Sequence, residues 1–348
     1  MKIKIRQVAN RNDFKQFIDF PFQLYQNSQN WIPPLKREEW QTFDPKKNPA
    51  YEAADAVFFL ALDSKDKVIG RVAAIDSRAA NDKFKTNNLR FGWFESINSL
   101  EVAHLLLSSV ESWGKKLGRE TLTGPQGFTD FDPQGLLIEG FEYMPTIVSG
   151  YNHDYYQHFF PKMEYEKDID YYEFSAEVPQ SDILPERLQA LSERIRQRSR
   201  VRIIEYKKLK DLLKERAHEI FELLEETFEE IYGAVPLTPQ QVDYFIKKYI
   251  SYVDPRLIKL AVDEQNKLVA FLLTMPSMSR AFQKAKGSLI PFGWWHMLRA
   301  LKTYEILDFY LAGISKKHRG SGLDLLLTME IAKIAQKLGF KKTESNLE

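Results

Sequence analysis

The sequence contains no cysteine, no long apolar run and almost no net charge. Because cysteine is absent, disulfides, thiol nucleophiles and cysteine-based zinc sites are excluded. No stretch approaches the roughly 18 consecutive apolar residues of a transmembrane helix, so no spanning segment is predicted. The 49 lysines and arginines nearly balance the 48 acidic residues, so bulk charge does not favour nucleic acid or an anionic membrane as a partner. We therefore expect a cytoplasmic protein with no membrane partner, for which nucleic acid is also disfavoured.

The residues that are present are typical of a globular protein. The 348 residues, 44% hydrophobic and 28% charged, are enough for two domains. Aromatic residues make up 13%, and most of them are expected in the core. The six histidines show no H-x-x-x-H or histidine–carboxylate spacing, so no metal site is predicted.

An internal repeat organises the chain. Residues 60–70 read LALDSKDKVIG and residues 260–270 read LAVDEQNKLVA, each of which predicts two apolar strands joined by a polar turn. In each half a long helical pattern ends in Lys-Leu-Gly, at residues 116–118 and 337–339. Both halves then read as strand, helix, hairpin, central strand, helix, strand. The pattern predicts two α+β domains with mixed sheets, residues 1–180 and 181–348, with a boundary near residues 179–184.

One loop of the second half has a composition suited to binding phosphate. The predicted strand 306–314 leads into SKKHRGSG at 315–322, and a helix follows at once. Gly320 and Gly322 let the backbone approach a ligand, and a helix N-terminus attracts phosphate oxygens. Cationic side chains beside the glycines add to this attraction. The alternative is a glycine-containing turn that only connects the strand to the helix.

The same loop carries a resemblance to a known superfamily. Lys317, Gly320 and Gly322 form K-x-x-G-x-G, which resembles the [RQ]-x-x-G-x-[GA] signature of the GNAT (Gcn5-related N-acetyltransferase) superfamily, with lysine in the first position. NPAYEAADAVFFLA, FGWFESIN, YGAVPLTP and KAKGSLIPFGWWHMLRAL resemble stretches of poorly characterised bacterial tandem-GNAT proteins. The resemblance implies an α+β fold (α/β with mixed sheets) made of two tandem GNAT-like acyl-CoA N-acyltransferase folds.

The resemblance also implies a role for each matching residue. Amides of the loop would hold the pyrophosphate of acetyl-CoA or another acyl-CoA, and the end of the preceding strand would pair with the pantetheine arm. Asp308, on that strand, stands where many such enzymes carry a general base, and the alternative is a structural carboxylate paired with lysine or arginine. The implied cofactor-binding residues are Leu311, Gly313, Ile314, Lys317, His318, Arg319, Gly320, Ser321, Gly322 and Leu323.

The first half departs from this pattern. After its central strand, residues 95–101 read ESINSLE, with no glycine and two carboxylates, so we expect a degenerate loop that does not bind CoA in the usual manner. The Gly- and Asp-rich stretch 123–141 is expected to line a cleft or to connect elements at the surface. Residues 151–156 are expected to face an acceptor or to cap a helix. The aromatic segment 291–298 is expected to form an acyl or acceptor wall, or a helix packed at the domain interface.

The two halves differ in length after their matching helices. About sixty residues follow the first Lys-Leu-Gly before the predicted boundary, and nine follow the second. We therefore expect the second GNAT-like domain to lack its C-terminal strands. An open sheet edge there could pair with the same edge of another chain, so a homo-oligomer is one expectation from the sequence.

Three functions fit these observations. The first is an acyl-CoA-dependent N-acyltransferase acting on a small-molecule amine or a peptide, with CoA bound by the second half. The second is a non-catalytic acyl-CoA-binding or sensor protein with the same fold. The third is an aminoacyl transferase that uses charged tRNA, which the near-zero net charge disfavours.

Overall fold

The computed structural model describes residues 2–179, 186–247 and 252–348. The chain divides into two compact units that are not two consecutive segments. The first unit comprises Met1–Tyr171, Gly233–Pro236 and Ser279–His296, and the second comprises Tyr172–Tyr232, Leu237–Met278 and Met297–Glu348. The boundary expected at 179–184 lies, apart from Pro179, outside the described residues. The division at residue 180 remains a prediction.

A five-stranded mixed sheet forms the centre of the first unit. Its order is β1-β2-β3-β4-β5, antiparallel except for the parallel pair β4–β5. These strands are β1 Lys4–Gln7, β2 Ala54–Leu62, β3 Val68–Ser77, β4 Asn88–Ser96 and β5 Thr121–Thr123.

Both faces of this sheet are buried. Successive residues of β2 point to opposite faces, so Leu60 joins the core formed with the first helix, while Phe59 and Ala61 join the core on the other face. The helices of this unit are α1 Arg11–Leu24, α2 Lys36–Thr42, α3 Arg78–Phe84, α4 Leu100–Lys116, α5 Phe159–Lys162 and α9 Ser279–Ala285, with single 3-10 turns at Pro49–Glu52 and Asp154–His158.

A six-stranded mixed sheet forms the centre of the second unit. Its order is β6-β11-β10-β9-β8-β7, with β10 and β11 parallel. These strands are β6 Ser175–Glu177, β7 Arg202–Ile204, β8 Ile258–Val262, β9 Leu268–Pro276, β10 Ile306–Ile314 and β11 Lys342–Glu344. The helices are α6 Glu186–Ser199, α7 Leu209–Phe228, α8 Pro239–Phe245 and α11 Leu323–Leu338, while α10 Gly293–Ala300 begins in the first unit. Further 3-10 turns cover Pro255–Leu257 and Lys316–His318.

The edge expected to be open in the second sheet is paired. β6 lies antiparallel to β11, with Ser175 opposite Glu344 and Glu177 opposite Lys342. Backbone hydrogen bonds between Tyr172 and Glu348 extend this pairing past the strands. The outermost strand of the second sheet therefore comes from a segment that precedes the rest of that sheet in the chain.

The two predicted hairpins close with the same turn. Asp63 Oδ1 accepts the amides of Lys65 and Lys67 at 2.8 and 2.9 Å. Asp263 Oδ1 accepts the amides of Gln265 and Lys267, both at 2.9 Å. The aspartate that the sequence places at the start of each turn thus satisfies two turn amides.

Among the described residues, no helix is both long enough and apolar enough to cross a bilayer.

Candidate functional site

The central strand of the second unit separates from its neighbour partway along its length. β10 pairs with β11 only from Ile306 to Asp308, whereas it pairs with β9 as far as Ile314. A register shift lies at Tyr310, whose carbonyl accepts the Asn346 side-chain amide at 3.1 Å. The second part of β10 therefore has one edge without a strand neighbour among the described residues. Backbone groups on such an edge are available to an extended ligand.

The residues predicted to follow the pantetheine arm lie on this part of β10. They are Leu311, Gly313 and Ile314. A Cβ at Gly313 would lie 2.5 Å from Phe271 Cε1, so close packing against β9 requires glycine there. Packing against Phe271 is sufficient to explain why residue 313 is glycine. The contact of Gly313 with a pantetheine arm stays a prediction.

The loop between β10 and α11 has the backbone that its glycines suggest. Gly320 has φ +70° and Gly322 has φ +84°, both in the left-handed region. No atom lies within 4 Å of a Cβ built at Gly320, whereas a Cβ at Gly322 would lie 2.8 Å from Ile195 Cδ1. Gly322 is therefore fixed by packing as well as by conformation, and Gly320 borders open space.

The N-terminus of α11 points its free amides toward this loop. Gly322 is the N-cap residue and provides no side-chain cap. The amides of the first turn, from Leu323 onward, have no partner within the helix. Ser321 Oγ donates to the His318 carbonyl at 2.5 Å, and His318 Nδ1 lies 2.8 Å from Ser315 Oγ. The loop is thus held by its own side chains while the helix amides favour an anion.

Carboxylates at and just beyond the C-terminal end of α7 contact the same loop. Lys316 forms an ion pair with Glu229, and Arg319 forms one with Glu230 at 3.1 Å. The Lys316 amide also donates to Glu226 Oε1 at 2.7 Å. Two of the cations that the sequence analysis assigned to phosphate binding are therefore already paired. The sequence signal for these pairs is the acidic run EETFEE at 225–230.

Lys317 is exposed and stands at the first position of the signature. Its side chain is therefore accessible to a ligand phosphate, unlike the paired Lys316 and Arg319.

Asp308 is fully buried on β10, next to the point where β10 and β11 separate. Leu307 and Phe309 join the core with α11, so alternation places Asp308 on the opposite face of the sheet. Neither carboxylate oxygen accepts a hydrogen bond from the residues that the structure describes. A lysine or arginine partner, which the structural alternative requires, is not present among the ion pairs of those residues.

Burial raises the pKa of Asp308 to about 8. The Ser277 side chain lowers this pKa in part, while Glu344 and Glu173 raise it further. Glu344 is directly opposite Asp308 on β11. A carboxyl with a pKa near neutrality, beside a gap in the sheet, has the properties of a general base.

The corresponding gap in the first unit is filled by the chain itself. Pairing between β4 and β5 ends at Arg90, and the Gln126 amide then donates to the Phe91 carbonyl at 2.7 Å. A Cβ at Gly92 would lie 2.4 Å from the Gln126 carbonyl oxygen, and one at Gly124 would lie 2.3 Å from the Phe91 carbonyl oxygen. Residues of the 123–141 stretch thus pack against β4 inside the unit, which supports the prediction that this half does not bind CoA in the usual manner.

The first carboxylate of the ESINSLE segment is also engaged. Glu95 Oε2 accepts the hydroxyl protons of Tyr25 at 2.5 Å and of Tyr156 at 2.7 Å, and burial raises the pKa of Glu95. Asn152 Oδ1 accepts the Leu137 amide at 2.7 Å instead of capping a helix. Tyr156 and Asn152 therefore have structural partners, and the expectation that 151–156 faces an acceptor gains no support from them.

Among the described residues, no group of three or more histidine, aspartate or glutamate side chains is arranged to hold a metal ion.

Comparisons with known proteins give two curated relatives. The chain is 27% identical over 305 residues to a protein named YghO from Escherichia coli, covering 86% of this chain and 75% of that protein. It is 24% identical over 351 residues to a bacterial ceramide synthase from Caulobacter vibrioides, covering 98% of this chain and 89% of that protein. No protein-family model matches the chain.

Solved structures show the fold. A tandem GNAT protein from the clavulanic acid biosynthesis pathway matches 100% of this chain and 90% of its own length, with a TM-score of 0.52 and 12% identity. A GCN5-related glucosamine N-acetyltransferase region of a fungal multi-domain enzyme matches 99% of this chain with a TM-score of 0.52 and 13% identity, and this chain spans about a third (35%) of that protein. The chain therefore has the GNAT acetyltransferase fold and shares it, over its whole length, with a tandem GNAT protein.

Proposed function

We propose that the protein is an acyl-CoA-dependent N-acyltransferase whose second unit binds the acyl-CoA. The observation that carries this proposal is Asp308, a buried carboxyl with no hydrogen-bond donor among the described residues, at the point where β10 leaves β11. Burying such a group lowers the folding stability, so its presence in a protein indicates that function requires it. From Asp308, β10 runs six residues, about 20 Å, toward the loop at the N-terminus of α11, and past Tyr310 one edge has no strand neighbour among the described residues.

Each part of this site has a separate task. Amides of the loop and of α11 hold the pyrophosphate, with Lys317 adding positive charge. The edge of β10 orients the pantetheine arm and thus the thioester. The amine nitrogen attacks the thioester carbonyl carbon, the C–N bond forms, and the C–S bond breaks to release CoA. An acceptor that binds as an ammonium first loses one proton to the ionised form of Asp308 and attacks as a neutral amine. Its second proton goes to the departing CoA thiolate, and Asp308 releases its own proton to solvent.

The acceptor is proposed to be an amine, either a small molecule or a peptide. Glu173 and Glu344, the latter in an ion pair with Lys342 at 2.8 Å, lie near Asp308, and carboxylates beside the proposed base favour an ammonium group. One relative is named a ceramide synthase, and a ceramide carries its acyl chain on an amide nitrogen. A long-chain amine is therefore the first acceptor to test.

A second candidate function is the binding of acyl-CoA without transfer of the acyl group. The ion pairs of Lys316 and Arg319 with α7 favour it, because they reduce the positive charge available to the phosphates.

Calorimetric titration of the full chain with CoA, acetyl-CoA and a long-chain acyl-CoA tests the proposal. We expect binding in the micromolar range, followed by release of free CoA thiol when a suitable amine is added. Failure of all three ligands to bind at high micromolar concentration would overturn both candidate functions. Binding without thiol release across amines, amino acids and peptides would favour the second.

Removing one of the competing carboxylates should tighten binding. In Glu230→Gln the Arg319 guanidinium loses its partner and becomes available to phosphate, so we expect the Kd for CoA to fall about two- to fivefold, as for an exposed ion pair. The effect should shrink at 0.5 M salt, where the charges are screened. Glu264→Gln, in an exposed pair with Arg200, is the matched control and should leave Kd unchanged. Weaker binding by Glu230→Gln would show that the loop does not contact an anion.

A further inference from the structure

The turn between α9 and α10 and the first residues of α10 expose four large apolar side chains within six residues of the chain. Ile290 is 80% exposed, Phe292 72%, Trp294 51% and Trp295 47%. We call these four residues the apolar tip. The expected roles of residues 291–298, an acyl or acceptor wall or a helix packed at the domain interface, stay predictions. Large apolar side chains exposed in such a group are typical of a surface that binds a partner.

The base of this turn is fixed to the first unit. The Lys36 amide donates to the Gly287 carbonyl at 2.9 Å, and Gln283 Nε2 donates to the Gln29 carbonyl at 2.7 Å. Ala281 and Ala285 of α9 are buried. A Cβ at Gly287 would lie 2.4 Å from the Phe22 ring. The apolar tip is therefore held out on an anchored turn.

Several polar groups of the turn and of the start of α10 are hydrogen-bonded within this segment. Trp294 Nε1 donates to the Pro291 carbonyl at 2.9 Å, and the Trp294 amide donates to the Leu289 carbonyl at 2.9 Å. Ser288 Oγ donates to the Ile290 carbonyl at 2.8 Å. The tip can thus leave water without first breaking these hydrogen bonds, which removes the main cost of entering an apolar medium.

The chain on both sides of the tip carries side-chain charge of one sign, and Arg280, Lys284 and Lys286 are the exposed cations of this stretch within the first unit. The 29 residues from 276 to 304 contain no aspartate or glutamate, although about four would be expected from the 48 in the whole chain. The cations of this stretch are Arg280, Lys284, Lys286, Arg299 and Lys302. The net charge of the whole chain is near zero, so it does not show that the acidic residues are absent from this stretch.

We propose that the apolar tip docks the protein on the surface of an anionic lipid bilayer, without spanning it. Tryptophan and phenylalanine are favoured at the boundary between headgroups and acyl chains, and neighbouring lysines attract anionic headgroups. A protein partner would need acidic groups around an apolar pocket, whereas a bilayer supplies both features at any point of its surface. The expectation of no membrane partner followed from net charge and from the lack of a spanning segment, and neither addresses peripheral docking. The proposal does not depend on the proposed transferase activity.

Flotation of the full chain with vesicles tests this directly. Vesicles of phosphatidylcholine with 30% phosphatidylglycerol are compared with vesicles of phosphatidylcholine alone. We expect binding to the anionic vesicles, at least fivefold weaker binding to the neutral ones, and a blue shift of tryptophan emission on binding. Loss of binding above 0.5 M salt is expected, because headgroup attraction is screened.

Two variants separate the apolar and the charged contributions. Phe292→Ser with Trp294→Ser should lower the vesicle partition coefficient tenfold or more, and Lys284→Gln with Lys286→Gln should lower it about tenfold on anionic vesicles only. The matched control is Ile138→Ser with Tyr143→Ser, two exposed apolar residues elsewhere in the first unit, which should bind as the parent does.

Three outcomes would overturn the proposal. These are no binding of the parent to anionic vesicles, equal losses in the tip variant and its control, and a dimer in sedimentation velocity that dissociates in the Phe292→Ser, Trp294→Ser variant. The last outcome would assign the tip to contact between copies of the chain. Unchanged far-ultraviolet circular dichroism and Tm show that each variant is folded.

Discussion

Gly320→Glu is expected to abolish acyl-CoA binding by the full chain. Gly320 borders open space in the loop at the N-terminus of α11, where the proposal places the pyrophosphate. A glutamate there would occupy that space and place a negative charge against the phosphates. We expect the Kd measured by calorimetry with CoA to rise at least a hundredfold.

Strain alone would also weaken a variant at this position, and the chain offers a control for it. Gly339, at the other end of α11, has φ +87° and likewise no atom within 4 Å of a built Cβ. Gly339→Glu therefore carries a similar backbone cost, about 1–2 kcal/mol, without approaching the loop. It should lose stability as Gly320→Glu does and bind CoA as the parent does. If Gly320→Glu still binds CoA, or if both variants lose binding equally, the loop is not the phosphate site.

Asp308→Asn should stop turnover while leaving CoA binding intact. An amide cannot accept the proton of the attacking amine, so kcat is expected to fall about 10²–10⁴-fold. Because Asp308 lies six residues from the loop end of β10, the Kd for CoA should stay within twofold. The measurement is thiol release under saturating acyl-CoA, paired with calorimetry on the same sample. Full activity in the variant would show that Asp308 is not the general base and that its role is structural.

The pH dependence gives a second readout of the same carboxyl. Because its pKa is raised to about 8, Asp308 is mostly protonated at pH 7, and kcat/KM should rise with pH and level off above about 8. Glu344→Gln removes a neighbouring negative charge and should shift this midpoint to lower pH. A midpoint that Glu344→Gln does not move would indicate that another group is titrating.

Stability should change with pH in the opposite direction to activity. Between the ordinary pKa of aspartate, near 4, and about 8, the folded protein keeps a proton that the unfolded chain has lost, so folding stability falls as pH rises through this range and is constant above it. Asp308→Asn removes this fall and should unfold at a higher Tm than the parent at pH 8. A base that costs stability is consistent with a functional site and not with a structural one.

Local patterns in the sequence predicted the elements of the candidate site. The strand at 306–314 was expected at the bounds that β10 has, and α11 begins immediately after Gly322 as the glycine pattern indicates. Alternating apolar residues and polar turns with aspartate are local signals, so both hairpins were also predictable. The residue types that suit a phosphate were recognisable for the same reason.

Features that depend on distant residues were not predictable. The pairing of β6 with β11, the filling of the first gap by Gln126 and the ion pairs of α7 with the loop all join segments far apart in the chain. A short strand such as Ser175–Glu177 also has too few residues to show alternation. The apolar tip was visible as a string of aromatic residues, but exposure depends on what packs against it.

The pairing of β6 with β11 also affects the timing of folding during synthesis. About 165 residues separate the two strands, so at 5–20 residues per second β6 leaves the ribosome about 10–30 s before its partner exists. During that interval its backbone groups are available to other chains or to chaperones. A fragment that begins at residue 181 would lack this strand permanently. A fragment that carries the second unit, together with the inserted residues 233–236 and 279–296 of the first, should therefore begin no later than Tyr172.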